Sequence, residues 1–233
     1  MIAEQYVWFV WASAFLIPWA LIFVRFPQHR QAMLKTSLLT APFGLTEPIF
    51  VPSYWDPPSL FSLAQRTGFD IESVIFSFAI GGIGSVLVNV LRGNRLLPVS
   101  GRQRARSHHR YHGVALATPV LVFLPLYLLP WNPIYPGILA MFLGGVAHVL
   151  CRPDLRSKVL LGGMLFPLLY IVVFTGMHLS APPGYMNRVW NYDALTGIVV
   201  MWIPLEELLF AISFGMYWSG VYEHFTWTRC AHE

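Results

Sequence analysis

The chain has 233 residues, of which 56% are hydrophobic and only 11% are charged, whereas a soluble domain carries about 25% charged residues. This composition excludes an ordinary soluble enzyme and indicates one integral membrane domain over residues 1–233. Two cysteines are too few for a disulfide framework, and the net charge of +4 belongs to loops rather than to a nucleic-acid-binding face.

Seven apolar segments have about the length that a helix needs to cross a bilayer. In chain order they are residues 6–24, 32–51, 71–91, 113–130, 135–150, 159–179 and 195–219. The fourth and fifth are short, and the second and seventh contain acidic residues. We expect the first to be a retained span rather than a signal peptide, because no basic residue precedes it. The prediction is an all-α, polytopic bundle of seven transmembrane helices.

The basic residues alternate between the two sides of this bundle. Thirteen of the 15 Lys and Arg residues follow the first, third, fifth or seventh span, and the exceptions are Arg66 and Arg188. By the positive-inside rule, the N-terminus lies outside and the C-terminus in the cytoplasm, as expected for a multi-pass protein of the cytoplasmic membrane. The basic loop over residues 92–112 then suits anionic membrane lipids better than nucleic acid.

Two short patterns recur in the second half of the chain. RFPQHR (residues 25–30) resembles CRPDLR (residues 151–156), and DIESVIFSF (residues 70–78) resembles PLEELLFAI (residues 204–212). The recurrence predicts pseudo-symmetric three-helix repeats. Their approximate extents, with the linker helix between them, are residues 1–92, 113–130 and 131–225. Because the linker restores the orientation, the halves would be parallel repeats about an axis along the membrane normal, with the site between them.

Four carboxyl side chains lie in or beside the predicted spans: Glu47, Glu72, Glu206 and Glu207. An ionised carboxylate at the bilayer centre is costly, so such a group tends to hold a proton or a partner. A protonated carboxyl beside a second carboxylate suits general acid catalysis. We expect Pro204 to kink the seventh span, so that one acid of the adjacent pair faces a cavity and the other supports it. A purely structural role, in hydrogen bonds to neighbouring spans, remains an alternative.

Aromatic side chains accompany these acids and predict a cavity that stabilises a cation. The candidate substrate-binding residues are Trp55, Phe76, Trp190, Tyr192, Trp202, Phe210 and Phe214. For Trp55, Trp190 and Tyr192, an interfacial aromatic belt is an equally good interpretation. An acid that protonates an apolar substrate within such a cavity suggests carbocation chemistry on a lipid.

The stretch RVWNYDALTGIVVMWIPLEELLFAISFGMYWSGVYEHF, residues 188–225, resembles the membrane-integral lycopene cyclase domain of bacteria, archaea and fungi. Its most specific part is Pro-Leu-Glu-Glu at residues 204–207, followed by Phe210 and preceded by Trp190 and Tyr192. The resemblance covers essentially the whole chain, which looks like the fused form of two three-span halves. It implies a cofactor-independent, redox-neutral cyclisation of the ψ-ends of lycopene to β-ionone or related rings.

The resemblance also implies roles for the acids. The acidic motif of the family falls on Glu206 and Glu207, and Glu72 is the counterpart in the first half. Glu206 is the candidate acid, Glu207 and Glu72 would tune it or accept the proton lost from the ring, and Glu47 has no assigned role. The residues that would shield the cation are Trp202, Phe210 and Phe214. The first half departs from the pattern, because residues 70–73 read Asp-Ile-Glu-Ser.

Other functions are less well supported, and we expect no cofactor and no metal. GGIGSV at residues 81–86 suits helix packing better than dinucleotide binding, and the predicted spans contain no Asp-rich motif for Mg²⁺ and diphosphate. A di-iron lipid oxygenase would need several histidine clusters. The histidines considered for it are His108, His109, His112, His148 and His224. A non-catalytic carotenoid- or isoprenoid-binding protein and a proton-coupled small transporter also stay open.

Overall fold

The computed structural model describes residues 1–104 and 107–231, without the side chains of Ser107 and His108. The candidate His108 therefore lies outside the described side chains. Helix predominates. The α-helices of the described residues are α1 (Glu4–Ala14), α2 (Leu16–Arg25), α3 (Arg30–Thr40), α4 (Glu47–Phe50), α5 (Leu63–Thr67), α6 (Ile71–Arg92), α7 (Gly101–Arg104), α8 (His112–Tyr127), α9 (Ile134–Cys151), α10 (Arg156–Ser180), α11 (Tyr185–Val189) and α12 (Leu205–Thr226).

Two short antiparallel strand pairs complete the described structure. The strands are β1 (Arg95–Pro98), β2 (Val199–Val200), β3 (Ile203–Pro204) and β4 (Thr228–Ala231). β1 pairs with β4, and β2 pairs with β3 as a small hairpin directly before α12.

Four helical segments of the described chain are long and apolar enough to cross a membrane: Glu4–Arg25, Ile71–Arg92, Ile134–Cys151 and Pro153–Ser180. They coincide with the first, third, fifth and sixth predicted spans. The prediction of a largely helical protein is therefore confirmed, and its helices are compatible with a membrane. The other three predicted spans fall on elements that are shorter or more polar.

The seventh predicted span is wrong in its first part. The segment before residue 205 is an irregular loop and the β2–β3 hairpin, whose turn residues Met201 and Trp202 have positive φ angles of 48° and 60°. Pro204 occupies the N-cap position with φ −53° and ψ 138°, and α12 begins at Leu205. Pro204 therefore starts the helix and does not kink it, because the prolyl ring is compatible with a helix N-terminus but not with a helix interior.

The second predicted span, residues 32–51, is interrupted. α3 ends at Thr40, a 3₁₀ turn follows over Ala41–Thr46, and α4 begins at Glu47. Pro42 and Pro48 explain the interruption, since neither can donate the backbone hydrogen bond of a continuous helix. Glu47 is consequently at the start of a short helix and not within a long one.

Contacts between distant segments define the two ends of the bundle. At one end Trp55 and Trp190 form an isolated antiparallel bridge, and the Asn191 backbone N–H donates to the Tyr54 carbonyl over 3.0 Å. We call this the tryptophan end. The paired strands β1 and β4 lie at the other end, which we call the strand end.

The two turns that the sequence relates to each other have the same backbone conformation. Phe26 (φ −123°, ψ 75°) precedes a 3₁₀ turn over Pro27–His29, and Arg152 (φ −129°, ψ 77°) precedes one over Pro153–Leu155. Each turn leads directly into a helix, α3 in one case and α10 in the other.

α12 is the central helix, and it is buried continuously from Ser213 to His224. It packs closely against α10 where Gly162 faces Gly215, and a Cβ atom added to either glycine would collide with the carbonyl oxygen of the other. This approach of two backbones is typical of small residues at helix contacts in membranes. This contact fixes α12 against α10, and the acidic pair lies in the first turn of α12.

Candidate active site

Glu207 has hydrogen-bond donors on both carboxyl oxygens. Its side chain is buried in the first turn of α12. Oε1 accepts from the Tyr54 hydroxyl at 2.5 Å and from the Trp190 indole N–H at 2.9 Å, and Oε2 accepts from the Tyr170 hydroxyl at 2.7 Å. These three donors hold the Glu207 carboxyl group in a fixed orientation. Burial and the Glu207 charge raise the pKa of Tyr54 well above its usual range, so this phenol remains a donor.

Glu206 points to a different set of partners and keeps one oxygen unpaired. Only 1% of its surface is exposed. Oε1 accepts from the Tyr135 hydroxyl and from the Thr196 backbone N–H, each at 2.9 Å. Oε2 is buried and has no hydrogen-bond partner among the described residues. A buried, unpaired carboxyl oxygen is the position at which a proton is expected, because a bare negative charge there would be costly.

Glu47, Asp70 and Glu72 form a second set of buried acids, which we call the first-half acids. The Ser73 hydroxyl donates to Glu47 at 2.8 Å, the Ser73 backbone N–H donates to Asp70 at 2.5 Å, and the Leu60 backbone N–H donates to Glu72 at 2.7 Å. Within the described structure, each carboxyl has one buried oxygen without a partner. Burial raises the pKa of Asp70, and the hydrogen bond from the Ser73 backbone opposes the rise.

Aromatic rings surround Tyr170, which donates to Glu207. Their ring centroids lie 4.8 to 6.3 Å from that of Tyr170. The neighbours are Phe15, Phe76, Phe166, Phe174 and Phe210. Such spacing is that of edge-to-face and offset aromatic pairs, and the negative faces of these rings favour a cation placed among them.

The predicted aromatic residues differ in their burial. Phe210 stacks on Phe214 with ring centroids 5.8 Å apart, and Phe214 belongs to the main core cluster, against which Phe210 packs. Burial, followed by the charges of Glu207 and Glu206, raises the pKa of Tyr192. Trp202 is 37% exposed and stacks on His178 with a centroid distance of 4.9 Å.

Trp55 and Trp190 lie side by side at the tryptophan end, with ring centroids 5.7 Å apart. Trp55 also meets Trp8 edge-on at 4.7 Å, and Trp8 in turn contacts Phe76 at 5.4 Å. Trp190 thus combines a ring contact with a hydrogen bond to Glu207, whereas the described contacts of Trp55 and Phe76 are with other aromatic rings.

Apart from Trp190, the hydrogen-bond partners of the acids were not identified from the sequence. Tyr54, Tyr135, Tyr170 and Thr196 were not among the candidates, and Asp70 was not proposed as a buried acid. A single tyrosine within an apolar run could have indicated such a partner, because a buried tyrosine hydroxyl usually forms a hydrogen bond. Tyr170 within FPLLYIVVF is the clearest case.

The acids are closed off by packing. The larger of two grooves has a volume of about 450 Å³ and lies between α10 and α12, lined by apolar residues that include Met164 and Ile212. The smaller, about 340 Å³, lies at the tryptophan end and is lined in part by Trp190 and Tyr192. Among the described residues, no acid of either set lines these two grooves. Because the acids of both sets are buried, a substrate would have to displace side chains to reach them.

Comparison with known families gives one match. Residues 132–225 match the family model described as lycopene cyclase. This region contains α9, α10 and α12, with both acids of the adjacent pair. The match confirms the resemblance for residues 132–225, whereas the sequence analysis expected it over essentially the whole chain. Comparisons with curated proteins and with solved structures gave no match.

Proposed function

Because residues 132–225 match the lycopene cyclase family model, we propose that the chain converts linear, lycopene-type ψ-ends of a carotenoid into β-ionone or related rings. The family supports a carotenoid substrate and a cyclase role in general. The observation that carries the specific proposal is the contrast between two neighbouring carboxyls. Glu206 has a buried oxygen without a partner among the described residues, while both oxygens of Glu207 are occupied.

Glu206 is the proposed acid. Its Oε2 carries the proton and delivers it to a carbon of the terminal double bond, which leaves a tertiary carbocation. The internal double bond then attacks this cation and forms the ring bond. Loss of a proton from a ring carbon to a carboxylate restores a double bond, so no electron is gained or lost overall. Water has to be excluded during these steps, and the burial of Glu206 serves that purpose.

Glu207 is proposed to stabilise the cation by its charge. Its three donors hold the carboxylate in place beside the aromatic group around Tyr170. A preorganised negative charge costs no reorganisation when the cation forms. The faces of Phe210 and Phe214 add a second source of stabilisation. Because the charge of Glu207 is held by donors, we assign proton delivery to Glu206 and electrostatic support to Glu207.

We further propose seven spans and two parallel repeats. Two contacts support an axis along the bundle: Trp55 is bridged antiparallel to Trp190, and β1 is paired antiparallel to β4. In both cases a segment within or directly after the first half meets the corresponding segment within or directly after the second half, as expected on a two-fold axis. The two contacts lie at opposite ends of the bundle, so one axis through both would run along the membrane normal.

The acids support the same repeat. α6 and α12 both have 22 residues, and Glu72 and Glu206 are each the second residue of their helix. Each accepts a backbone hydrogen bond at Oε1 from the loop before the helix, from Leu60 in one case and Thr196 in the other. Each also has a buried Oε2 without a partner in the described structure. Glu72 is therefore proposed as the counterpart of Glu206, with Glu47 in a supporting position.

The test is pigment analysis in a lycopene-accumulating bacterial host that expresses the chain, the Glu206→Gln variant or the Asp193→Asn variant. Asp193 is an exposed acid of the neighbouring loop and serves as the matched control. We expect cyclic carotenoids from the parent and from Asp193→Asn, and only lycopene from Glu206→Gln at equal membrane abundance. Uncyclised lycopene with the parent would contradict the proposal. If that lycopene co-purified with the protein, a carotenoid-binding role would replace the proposed cyclase role.

A further inference from the structure

Two histidines and a cysteine converge at the strand end, away from the acids. His109 lies in a 3₁₀ turn, His112 is the first residue of α8, and Cys151 is the last residue of α9. The Cys151 Sγ atom is 3.5 Å from Nδ1 of His112 and 3.7 Å from Nδ1 of His109. The three candidate ligand atoms all lie within 4.8 Å of one another. His109 and Cys151 are buried, and His112 is partly buried.

These distances fit a tetrahedral zinc ion. Zinc binds imidazole nitrogen at about 2.0–2.1 Å and thiolate sulfur at about 2.3 Å. Two such ligands at a tetrahedral angle are about 3.5–3.6 Å apart, which is close to both measured sulfur–nitrogen distances. The same donor set of two imidazoles and one thiolate disfavours Mg²⁺ and Ca²⁺, which prefer oxygen ligands.

The orientation of His112 supplies an independent argument. Its Nε2 is 2.9 Å from the backbone carbonyl oxygen of His224. A carbonyl can only accept, so Nε2 carries the hydrogen and Nδ1 of the neutral ring directs its lone pair towards Cys151. Metal-bound histidines commonly have this arrangement, in which the second ring nitrogen donates to a carbonyl or a carboxylate. The ring is also held from both sides, by Trp227 at 3.9 Å and His224 at 5.0 Å between centroids.

We propose that His109, His112 and Cys151 form a zinc site that fastens the loop before α8 to the end of α9. Three protein ligands leave a fourth position for a water molecule or another small ligand. The alternative is a set of thiol–imidazole hydrogen bonds, in which the sulfur donates to one Nδ1 atom and accepts from the other, and such a set would retain no metal. The proposal revises the expectation of no metal, and it is independent of the cyclisation, which we assign to acids elsewhere in the bundle.

The experiment uses the full chain purified in detergent. The protein is incubated with Zn²⁺ alone, excess metal is removed, and zinc is measured by mass spectrometry. We expect about one zinc ion per chain. Incubation with Co²⁺ alone should give a thiolate-to-cobalt charge-transfer band in the near ultraviolet, because Cys151 is a ligand. A parent protein that retains no Zn²⁺ and gives no such band would overturn the proposal.

Two controls assign the ligands. The chain has two cysteines, so Cys230→Ser should keep the cobalt band and Cys151→Ser should lose it. His112→Ala should lose zinc, whereas His178→Ala, which changes a histidine stacked on Trp202, should keep it. If Cys151→Ser does not yield folded protein, the Cys230→Ser spectrum still decides: a retained band assigns the thiolate to Cys151, and a lost band contradicts it.

Discussion

Glu206 and Glu207 are adjacent in sequence but have different surroundings, because neighbouring residues of a helix point about 100° apart. Glu207 faces Tyr54, Tyr170 and Trp190, whereas Glu206 faces the loop before α12. Identical side chains can therefore have different roles, one as a charge and the other as an acid.

Removing one donor from Glu207 should reduce cyclisation without removing the acid. In Tyr170→Phe, Oε2 of Glu207 loses a hydrogen bond of 2.7 Å. A hydrogen bond to a charged group contributes about 1.5–3 kcal/mol, so we expect the rate of conversion to fall at least about 10-fold. The rate is measured on purified protein with lycopene in detergent micelles. Tyr127→Phe, at an exposed phenol on α8, should leave it unchanged, and equal rates in the two variants would contradict the role of Glu207.

The identity of the candidate acids could be predicted from the sequence, but their partners could not. A pair of carboxyls next to a proline in an apolar segment is a local pattern, and it is visible in the residues 204–207. The donors Tyr54 and Tyr170 come from segments far away in the chain, and only the fold brings them to Glu207. The effect of Pro204 was misjudged because a proline before a helix and a proline within one look alike in an apolar run.

The contact of α10 with α12 depends on two glycines that face each other. A methyl group at Gly215 would meet the backbone of Gly162, so the helices would have to move apart. We expect Gly215→Ala to destabilise the protein by about 1–3 kcal/mol. Gly137→Ala is the matched control, because a methyl group there meets nothing within 4 Å. The measurement is the temperature at which half of the detergent-solubilised protein is lost from the size-exclusion peak, and equal midpoints would contradict the packing argument.

A second contact of α10 with α12 is a buried ion pair between Lys158 and Glu223. The ammonium group of Lys158 also donates to the Ser85 carbonyl, and Asn89 donates to the Glu223 carboxylate. Both charged side chains are almost fully buried, at 4% and 0% exposed. The free energy of such a pair depends on both partners being present.

Breaking this ion pair from one side should cost more than removing both charges. Lys158→Met leaves the Glu223 carboxylate buried without its cation, and we expect a loss of about 3–5 kcal/mol. The double variant Lys158→Met/Glu223→Gln should be more stable than Lys158→Met, since no uncompensated charge remains. The measurement is a double-mutant cycle, which compares the thermal midpoints of the parent, both single variants and the double variant. Additive losses would show that the two side chains do not interact.

At the scale of the whole molecule, composition and hydropathy were enough to predict a helical membrane protein, but not to predict where each span begins and ends. The four strongest helices coincide with predicted segments, because long apolar runs have few alternatives in a helical membrane protein. The segments 32–51 and 195–219, which each combine a proline with a glutamate in their interior, were the ones whose boundaries failed. In these two segments, a hydrophobic residue can be buried within the protein instead of contacting lipid. Hydrophobicity therefore does not require a continuous helix there, and the backbone forms turns and a hairpin.

The proposed seven spans place the two termini on opposite sides of the membrane. The pairing of β1 with β4 requires the loop after α6 and the C-terminal segment to lie at the same end, and the loop after α6 is basic, as expected for the cytoplasmic side. Alkaline phosphatase fused after Pro130 should therefore be active outside the cytoplasm, and the same enzyme fused after Gly101 should be inactive. Green fluorescent protein at the C-terminus should fluoresce, and an N-terminal epitope should be accessible to antibody on spheroplasts. An N-terminal epitope on the cytoplasmic side would instead require an even number of spans and would remove the parallel-repeat arrangement that relates Glu72 to Glu206.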